Sequence, residues 1–388
     1  MGDAFSQRHV TRRRFVHLLG AGGAASSVAL LLAACQAPAP AAPTGQSASP
    51  TEAAAAAAGA STQQPVKGGA LVVALSAEVV DMDPANRGGT PTAAAEQLVF
   101  NSLVRNTPDQ QIKPDLAASW TVDDDKWTFK LRPGVKFHDG TPFNAQAVKY
   151  TFDRYLNNTE KVRRAGDWQP YVDGVQVIDD STIQFRTKGV DAFFLTRLAG
   201  EVGIVSPTAH AQLGKDFLKN PVGTGPFKFK EWVPGVSISV VRNDDYFGDK
   251  AYLDQVTMRP IPEATTRALA LETGEVHLAT PITPEQMGRL QGNPNFSLVS
   301  RATSLNLMFG MNNLKKPFDD VRIRQALNYA IDRDSIVKNV FSGLADAMQG
   351  AVPKAAIGYA PVEGYTYDPN KAKQMLAEAG MAVGLAHH

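Results

Sequence analysis

Short runs of apolar residues, separated by glycine, proline and aspartate, recur along the chain from about residue 67 onward. Runs of about four to eight such residues predict strands, and longer stretches with a period of about 3.6 residues predict helices. The predicted strands are 70–75, 127–131, 135–137, 175–178, 182–187, 227–232, 238–242, 255–260, 276–279, 296–300 and 305–311. The predicted helices are about 92–104, 145–156, 262–273, one starting at 283, 320–331, 333–341 and 369–379. This mixture predicts an α/β fold.

Helix boundaries carry their own signals in this part of the chain. Asn144 is placed to cap the helix that follows it, and Thr283 with Gln286 forms a capping box. Gly274 is expected to end one helix, and Asp368 with Pro369 to begin another.

The first 35 residues have a different pattern. Arg12 and Arg13 precede a weakly apolar stretch, 16–34, and Cys35 follows directly. This is the layout of a signal peptide with a twin-arginine pair, and its end resembles the lipobox of bacterial lipoproteins. The resemblance implies that Cys35 is lipidated and becomes the mature N-terminus. The alternative is an uncleaved transmembrane helix, because the apolar run is nearly long enough to span a bilayer.

Residues 36–66 are almost entirely Ala, Pro, Ser, Thr, Gln and Gly. With almost no large apolar side chains to bury, this segment is predicted to be a disordered tether. As a flexible coil it would span on the order of 30 Å.

Composition excludes several classes of function. The 388 residues are 44% hydrophobic and 20% charged, as in a globular protein, and the formal net charge is +1. Without the first 34 residues, the body is near neutral and has no basic run that offers a surface for nucleic acid. Cys35 is the only cysteine, so neither an intramolecular disulfide nor a Cys-based zinc site is possible. We expect no cofactor and no metal.

Four ordered motifs identify a resemblance to a known family. They are WTFKLRPGVKFHDGTPF at 127–143, GTGPFKF at 223–229, TRAL with TGE at 266–275, and FDDVRIRQALNYAIDR at 318–333. Together they resemble the extracellular solute-binding proteins of bacterial peptide, dipeptide and nickel ABC importers. The first motif also has a purely structural interpretation, in which its aromatic residues pack a core around a Pro133–Gly134 turn.

The resemblance implies an α/β fold of two lobes of the type II periplasmic-binding-protein kind, with an extra α+β subdomain in lobe I. A solute is enclosed between the lobes by hinge closure and delivered to a permease, without covalent chemistry. We expect a monomer held at the outer face of the cell membrane. The expected divisions are a signal peptide 1–35, a tether 36–66, lobe I 67–93 with 206–300, its subdomain 94–205, and the start of lobe II 301–388.

The resemblance also implies ligand-binding residues. The loop after the first strand places Glu78, Val79 and Asp81 in the cleft, where a carboxylate can pair with a cationic group of the solute. Asp81 could instead only cap the turn that follows.

Three further positions extend the expected binding surface: Trp168, Glu201 and Asn306. Trp168 could contact the ligand or pack between lobes, and Asn306 could contact the ligand or support the hinge.

Two other functions remain open. An enzyme is disfavoured because the chain contains no G-x-S-x-G, H-E-x-x-H or P-loop motif, and Pro226 removes a donor from the glycine pair at 223 and 225. A surface receptor that senses peptide without importing it would share the same sequence features.

Relatives continue beyond the helix at 369–379. We therefore expect an incomplete second lobe with exposed apolar surface, and weak or absent peptide binding by the chain as written.

Overall fold

The computed structural model describes residues 65–381 except 302, 304 and 357. Arg12, Arg13 and Cys35, with most of the tether, lie outside the described residues. Within them, no helix is both long enough and apolar enough to cross a membrane.

The described chain mixes strands and helices as far as α6, and its later elements are helices. The strands are β1 (Ala70–Leu75), β2 (Val104–Asn106), β3 (Ile112–Pro114), β4 (Ala117–Asp123), β5 (Lys126–Leu131), β6 (Val172–Asp179), β7 (Thr182–Thr187), β8 (Phe227–Val233), β9 (Ser237–Arg242), β10 (Gln255–Pro260) and β11 (Leu278–Ala279). The helices are α1 (Thr90–Val99), α2 (Ala145–Asn157), α3 (Phe194–Leu198), α4 (Pro207–Leu213), α5 (Ala264–Glu272), α6 (Pro284–Leu290), α7 (Val321–Ala330), α8 (Arg333–Asn339) and α9 (Pro369–Glu378).

A five-stranded mixed sheet has the order β11-β1-β10-β9-β8. Strand β1 is parallel to both of its neighbours, β10 and β11, whereas β8, β9 and β10 form an antiparallel meander. Helix α1 packs on this sheet around a core that includes Met82, Val99, Phe217 and Val240. Sequence-distant segments, 70–99 and 205–279, therefore share one core.

A second sheet is four-stranded and antiparallel, with the order β4-β5-β7-β6, and α2 packs against it. Side chains alternate along β5, so Trp127, Phe129 and Leu131 face a core that α2 completes with Phe152. The aromatic residues of the first motif thus pack the interior, and Gly134 adopts φ +73° in the turn after β5. The structural interpretation of that motif is confirmed.

The predicted helix caps at Asn144 and Thr283 are confirmed. The Asn144 side chain accepts a hydrogen bond from the backbone N–H of Ala147, and Thr283 and Gln286 form a reciprocal capping box. Gly274 follows the end of α5 with φ +77°. These local signals were readable because each depends only on residues within one helical turn.

Helix α1 ends at Val99, not at residue 104 as the sequence suggested. The segment around Gly223 and Gly225 crosses the end of the helix, and Gly225 donates its N–H to the Val99 carbonyl at 2.8 Å. A Cβ at Gly223 would lie 2.3 Å from that carbonyl oxygen. The glycine pair therefore serves close backbone packing.

The predicted strand at 135–137 is wrong. These residues form a tight loop, in which Phe137 donates its N–H to the Thr141 carbonyl and Lys136 makes one isolated bridge to Pro142. Strand β5 is already paired on both sides, with β4 and β7, so no ladder position remains beside it.

The predicted strands at 296–300 and 305–311 are wrong for every residue that the structure describes there. Leu305, Leu307 and Phe309 are each more than three-quarters exposed. An alternating segment becomes a strand only when a neighbouring strand pairs with it, and the described residues supply none here.

The last part of the described chain is helical. Helices α7 and α9 pack together through Ile323, Ala326 and Ala372, which are buried. Asp368 caps α9 with its side chain and donates its own N–H to the Tyr329 carbonyl at 2.9 Å. The cap predicted at Asp368 is confirmed.

Candidate functional site

The carboxyl ends of the three parallel strands β1, β10 and β11 lie at one edge of the five-stranded sheet. In open α/β sheets, ligands bind at this edge, where the connections diverge to opposite sides. Strand β1 continues here into residues 76–89, which we call the first loop. The first loop contains the sequence-predicted residues Glu78, Val79 and Asp81.

A shallow groove separates the first loop from the turn between β8 and β9. Val79 is buried in its floor, and Trp232, Val236 and Met258 line its sides. Glu78 lies above it, and its Oε1 accepts a hydrogen bond of 2.7 Å from the backbone N–H of Gly235. This contact fastens the first loop to the sheet while leaving Glu78 exposed.

Asp81 and Asp83 organise the middle of the first loop. Asp81 Oδ1 accepts the Asp83 N–H at 2.8 Å, and Asp83 in turn caps a short 3₁₀ turn through the Ala85 N–H. Burial raises the pKa of Asp81. The capping role that the sequence left open for Asp81 is thus present.

A buried ion pair connects the first loop to α2. Asp83 is 5% exposed. Its Oδ1 accepts a hydrogen bond of 3.0 Å from Arg154 Nη1, and its Oδ2 accepts a second from Arg154 Nη2. Although burial opposes the charge of Arg154, pairing with Asp83 and Glu160 raises its pKa. A bidentate contact of this kind fixes orientation as well as distance.

His210, on α4, lies beside the same pair. Its Nδ1 is 2.8 Å from the Tyr150 hydroxyl, and its Nε2 is 3.9 Å from Asp83. Burial and then the charge of Arg154 lower the pKa of His210. His210 is therefore a neutral structural side chain at physiological pH.

Glu201 meets two arginines at the far end of the first loop. Its Oε2 accepts hydrogen bonds from Arg164 Nη2 at 3.0 Å and from Arg87 Nη1 at 3.3 Å. The side chains of Arg87 and Arg164 are 8% and 15% exposed, but that of Glu201 is 48% exposed. Two nearly buried guanidinium groups thus hold a carboxylate at the surface.

The sequence did not single out Arg87 and Arg164. Arg164 donates its backbone N–H to the Ala85 carbonyl, and its Nη1 to the Glu201 carbonyl at 2.7 Å. These contacts join residues up to 114 positions apart in the chain. The one feature of the sequence that could have pointed to Arg87 is its position on the first loop.

Trp168 lies in the core of the four-stranded sheet with 1% of its surface exposed. Its ring is 5.2 Å from that of Phe152 and perpendicular to it, and 6.1 Å from that of Tyr155. These contacts give Trp168 a packing role. All of these contacts lie within the core around Trp168. The alternative role, packing between lobes, would have required contacts to the other lobe.

Asn306 stands apart from the first loop. Its side chain donates to the Ala351 carbonyl at 2.8 Å, within the exposed part of the chain that follows α6. The structure therefore places Glu78, Val79 and Asp81 on the first loop and joins the far end of that loop to Glu201 through Arg87. It does not bring Asn306 to them.

The described residues contain no group of three or more His, Cys, Asp or Glu side chains arranged to hold a metal ion. The donors at the candidate site are carboxylates and guanidinium groups. This set suits charged and hydrogen-bonding groups of a small solute.

Residues 111–386 match the family model of bacterial extracellular solute-binding proteins, family 5. The chain is 35% identical over 320 residues to the glutathione-binding protein GsiB of Pectobacterium atrosepticum, with 81% of this chain and 62% of that protein covered. The GsiB protein of Salmonella typhi gives the same identity and coverage. The chain thus spans 62% of the length of these relatives.

Two solved structures resemble the described fold. The periplasmic binding protein DppA from Helicobacter pylori, in complex with the peptide STSA, has a TM-score of 0.71 and 33% identity, covering 81% of this chain and 67% of that one. NikZ from Campylobacter jejuni, in complex with Ni(L-His), has a TM-score of 0.69 and 27% identity, covering 80% and 63%. The type II periplasmic-binding fold class predicted from the sequence is confirmed, and these relatives are binding proteins rather than enzymes.

Proposed function

Because this chain belongs to the bacterial extracellular solute-binding proteins of family 5, we propose that it is the substrate-binding lipoprotein of an ABC importer. It captures a short peptide or a related amino-acid derivative at the first loop and delivers it to a permease. Cleft closure around the solute would present a new surface to the permease, so that capture and docking are linked.

The observation that supports this proposal most directly is that two exposed carboxylates are held along the first loop, Glu78 near the sheet edge and Glu201 at the far end of the loop. Glu78 is anchored by Gly235, and Glu201 is anchored by Arg87 and Arg164. Fixed carboxylates favour a solute with an ammonium group. The groove lined by Val79 has a volume of about 10 Å³, room for roughly one water molecule, so it offers a small apolar contact beside Glu78 and not a side-chain pocket.

The relatives suggest which solutes to test. GsiB is named for glutathione, DppA was solved with a tetrapeptide, and NikZ with nickel and histidine. We propose the first two classes for this chain, because the two carboxylates Glu78 and Glu201 suit the ammonium group of a peptide amino terminus. A nickel–histidine complex is the less favoured solute.

Isothermal titration of the full chain with glutathione, with Ser-Thr-Ser-Ala and with a nickel–histidine complex tests the proposal. We expect a saturable signal, weak in the chain as written, with one of the first two solutes, and a further loss of about tenfold or more in Glu201→Gln. Glu272→Gln, which alters a surface carboxylate paired with Arg289, is the matched control and should bind normally. Absence of binding by all three solutes would contradict the proposal.

We further propose export through the twin-arginine pair Arg12 and Arg13, and anchoring through a lipid on Cys35 at the outer face of the cell membrane. The Ala-rich segment 36–66 would then let the folded body reach the permease. In cells fed labelled fatty acid, the native chain should be labelled and sediment with membranes. Cys35→Ser should lose both properties, and Arg12→Lys with Arg13→Lys should leave an unprocessed precursor.

The division of the chain into lobes is also part of the proposal. The five-stranded sheet uses residues 70–75 and 227–279, and the four-stranded sheet uses 117–187. This supports the proposed lobe I of 67–93 with 206–300 and the subdomain of 94–205 in outline, although α1 crosses the boundary at 93 and packs on the five-stranded sheet. Residues 301–388 are left for the start of lobe II. The expected monomeric state can be checked by light scattering of the purified chain.

A further inference from the structure

Glu96 is an unusual feature of α1, because its carboxylate is fully buried and only half satisfied. Oε2 accepts a hydrogen bond from Arg87 Nε, whereas Oε1 has no hydrogen-bond partner among the described side chains and backbone groups. Burying a carboxylate with an empty oxygen costs folding free energy. Such a group calls for a role beyond packing.

Glu96 holds the inner side of Arg87. From that position the guanidinium reaches outward, and its Nη1 contacts the Gly200 carbonyl at 3.2 Å and Glu201 Oε2 at 3.3 Å. Arg87 is thus shared between one buried carboxylate and one exposed carboxylate. Any change in the charge of Glu96 changes how strongly Arg87 attracts Glu201.

We propose that Glu96 is a positioning residue of the binding surface, which acts through Arg87 to determine how available the Glu201 carboxylate is to a cationic group of the solute. This inference rests on the proposed function. When Glu96 is ionised, Arg87 divides its charge between two carboxylates. When Glu96 is neutral, Arg87 attracts Glu201 alone and withdraws it from the solute.

The surroundings of Glu96 allow both charge states near neutral pH. Burial raises its pKa to about 7, against the lowering effect of Arg87. The other charged groups that act on it are Asp83, which raises the pKa, and Arg164, which lowers it. The buried Tyr155 hydroxyl also has no partner among the described groups. Its pKa is raised first by burial and, among smaller effects, by the charge of Glu96.

Titration of the full chain with glutathione at pH 7.5 and pH 5.5 tests the inference, because the ammonium group of this probe stays charged at both. We expect the native chain to bind about fivefold more weakly at pH 5.5. Glu96→Gln should bind weakly at both pH values and lose this pH dependence. Glu272→Gln, which leaves Arg87 untouched, should keep the native profile.

A second measurement needs no solute. In ¹⁵N spectra, the Arg87 Nε signal, assigned by its loss in Arg87→Lys, should shift with a midpoint near pH 7 in the native chain and stay constant in Glu96→Gln. Thermal unfolding of each variant checks that it is folded. A constant Arg87 signal in the native chain, or an identical pH profile in Glu96→Gln, would overturn the inference. Absence of glutathione binding with a titrating Arg87 signal would count against glutathione as solute and leave the Glu96–Arg87 link standing.

Discussion

Glu96 and His138 are buried titratable residues that respond to acid in opposite directions. Burial raises the pKa of Glu96 to about 7 and lowers that of His138 to about 4. His138 Nε2 contacts the Gly225 carbonyl at 3.0 Å, and its Nδ1 is buried without a partner among the described atoms. Each group is therefore more easily kept neutral in the fold than in the unfolded chain.

The signs follow from the direction of each shift. Glu96 stabilises the fold below its unfolded pKa, and this contribution is lost as pH rises from about 4.5 to about 7. His138 stabilises the fold above its unfolded pKa, and this contribution is lost as pH falls from about 6.5 to about 4. Each contribution is on the order of 3 kcal/mol, and the two have opposite signs.

Single substitutions should therefore expose each effect. Between pH 7 and pH 4.5, Glu96→Gln should lose more unfolding free energy on acidification than the native chain, and His138→Gln should lose less. Urea unfolding at both pH values measures this, with Glu272→Gln as a control. If both variants follow the native curve, neither buried group is shifted as described.

Trp168 gives a second prediction at the residue scale. Because its ring is buried against Phe152 and Tyr155, Trp168→Ala should cost about 3–5 kcal/mol of unfolding free energy. Trp168→Phe should cost less and leave solute affinity near the native value. Denaturant unfolding and solute titration, run in parallel, separate the roles. A stable Trp168→Phe variant that binds tenfold more weakly would restore Trp168 as a ligand contact.

Arg87, Arg164 and Glu96 could not be predicted from the sequence as parts of one site. Glu201 is separated from Arg87 by 114 residues, and no periodicity links them. In contrast, the loop residues Glu78, Val79 and Asp81 could be proposed together, because they directly follow a strand that the sequence predicts. The family resemblance was enough to predict the loop as part of the site. The role of the two arginines became visible only from the three-dimensional contacts.

At the scale of elements, the glycine segment crosses α1 with close contact between backbone atoms. A Cβ at Gly225 would lie 2.5 Å from the Leu98 carbonyl oxygen, and one at Gly223 would lie 2.3 Å from that of Val99. Both neighbours are backbone atoms, which cannot rotate away. The segment therefore tolerates glycine alone at these positions.

Gly223→Ala and Gly225→Ala should each lower the unfolding free energy by about 3 kcal/mol or more. Gly166→Ala is the matched control, because no atom lies within 4 Å of the added Cβ and the backbone conformation is ordinary. It should change stability by less than about 0.5 kcal/mol. Thermal or urea unfolding decides the point, and equal effects at all three positions would contradict the packing argument.

Elements were predictable where local signals were sufficient. The strands predicted at 182–187, 227–232 and 238–242 and the caps at Asn144 and Thr283 depend on neighbours in sequence, and all are confirmed; the first pairs with β6, and the other two pair with each other. The end of α1 depends on Gly225, more than 120 positions away. Residues 305–311 alternate like a strand, but pairing decides whether a strand forms, and alternation alone does not report the partner.

At the scale of the whole molecule, apolar side chains after α6 are the main exposed feature. Leu305, Leu307, Phe309 and Leu314 are each at least 78% exposed. Single exposed apolar residues are ordinary, but four within ten positions concentrate apolar surface that can attract apolar molecules.

This surface should bind an apolar fluorescent dye such as anilinonaphthalene sulfonate. We expect Leu307→Ser with Phe309→Ser to reduce dye fluorescence at least twofold, without loss of unfolding free energy, because neither side chain is buried. Val122→Ser, which removes an isolated exposed residue of β4, is the control and should leave the fluorescence unchanged. Unchanged fluorescence in the double variant would show that these residues are covered in solution.

The first loop is tied to its surroundings at several points. Met82 donates its N–H to the Leu218 carbonyl, Ala85 accepts from the Arg164 N–H, Asp83 pairs with Arg154, and Glu78 accepts from Gly235. A loop ordered in this way has already lost its conformational entropy before any solute arrives. We therefore expect encounter with the loop to be fast and nearly independent of solute sequence, so that residence time, rather than association rate, would distinguish good solutes from poor ones.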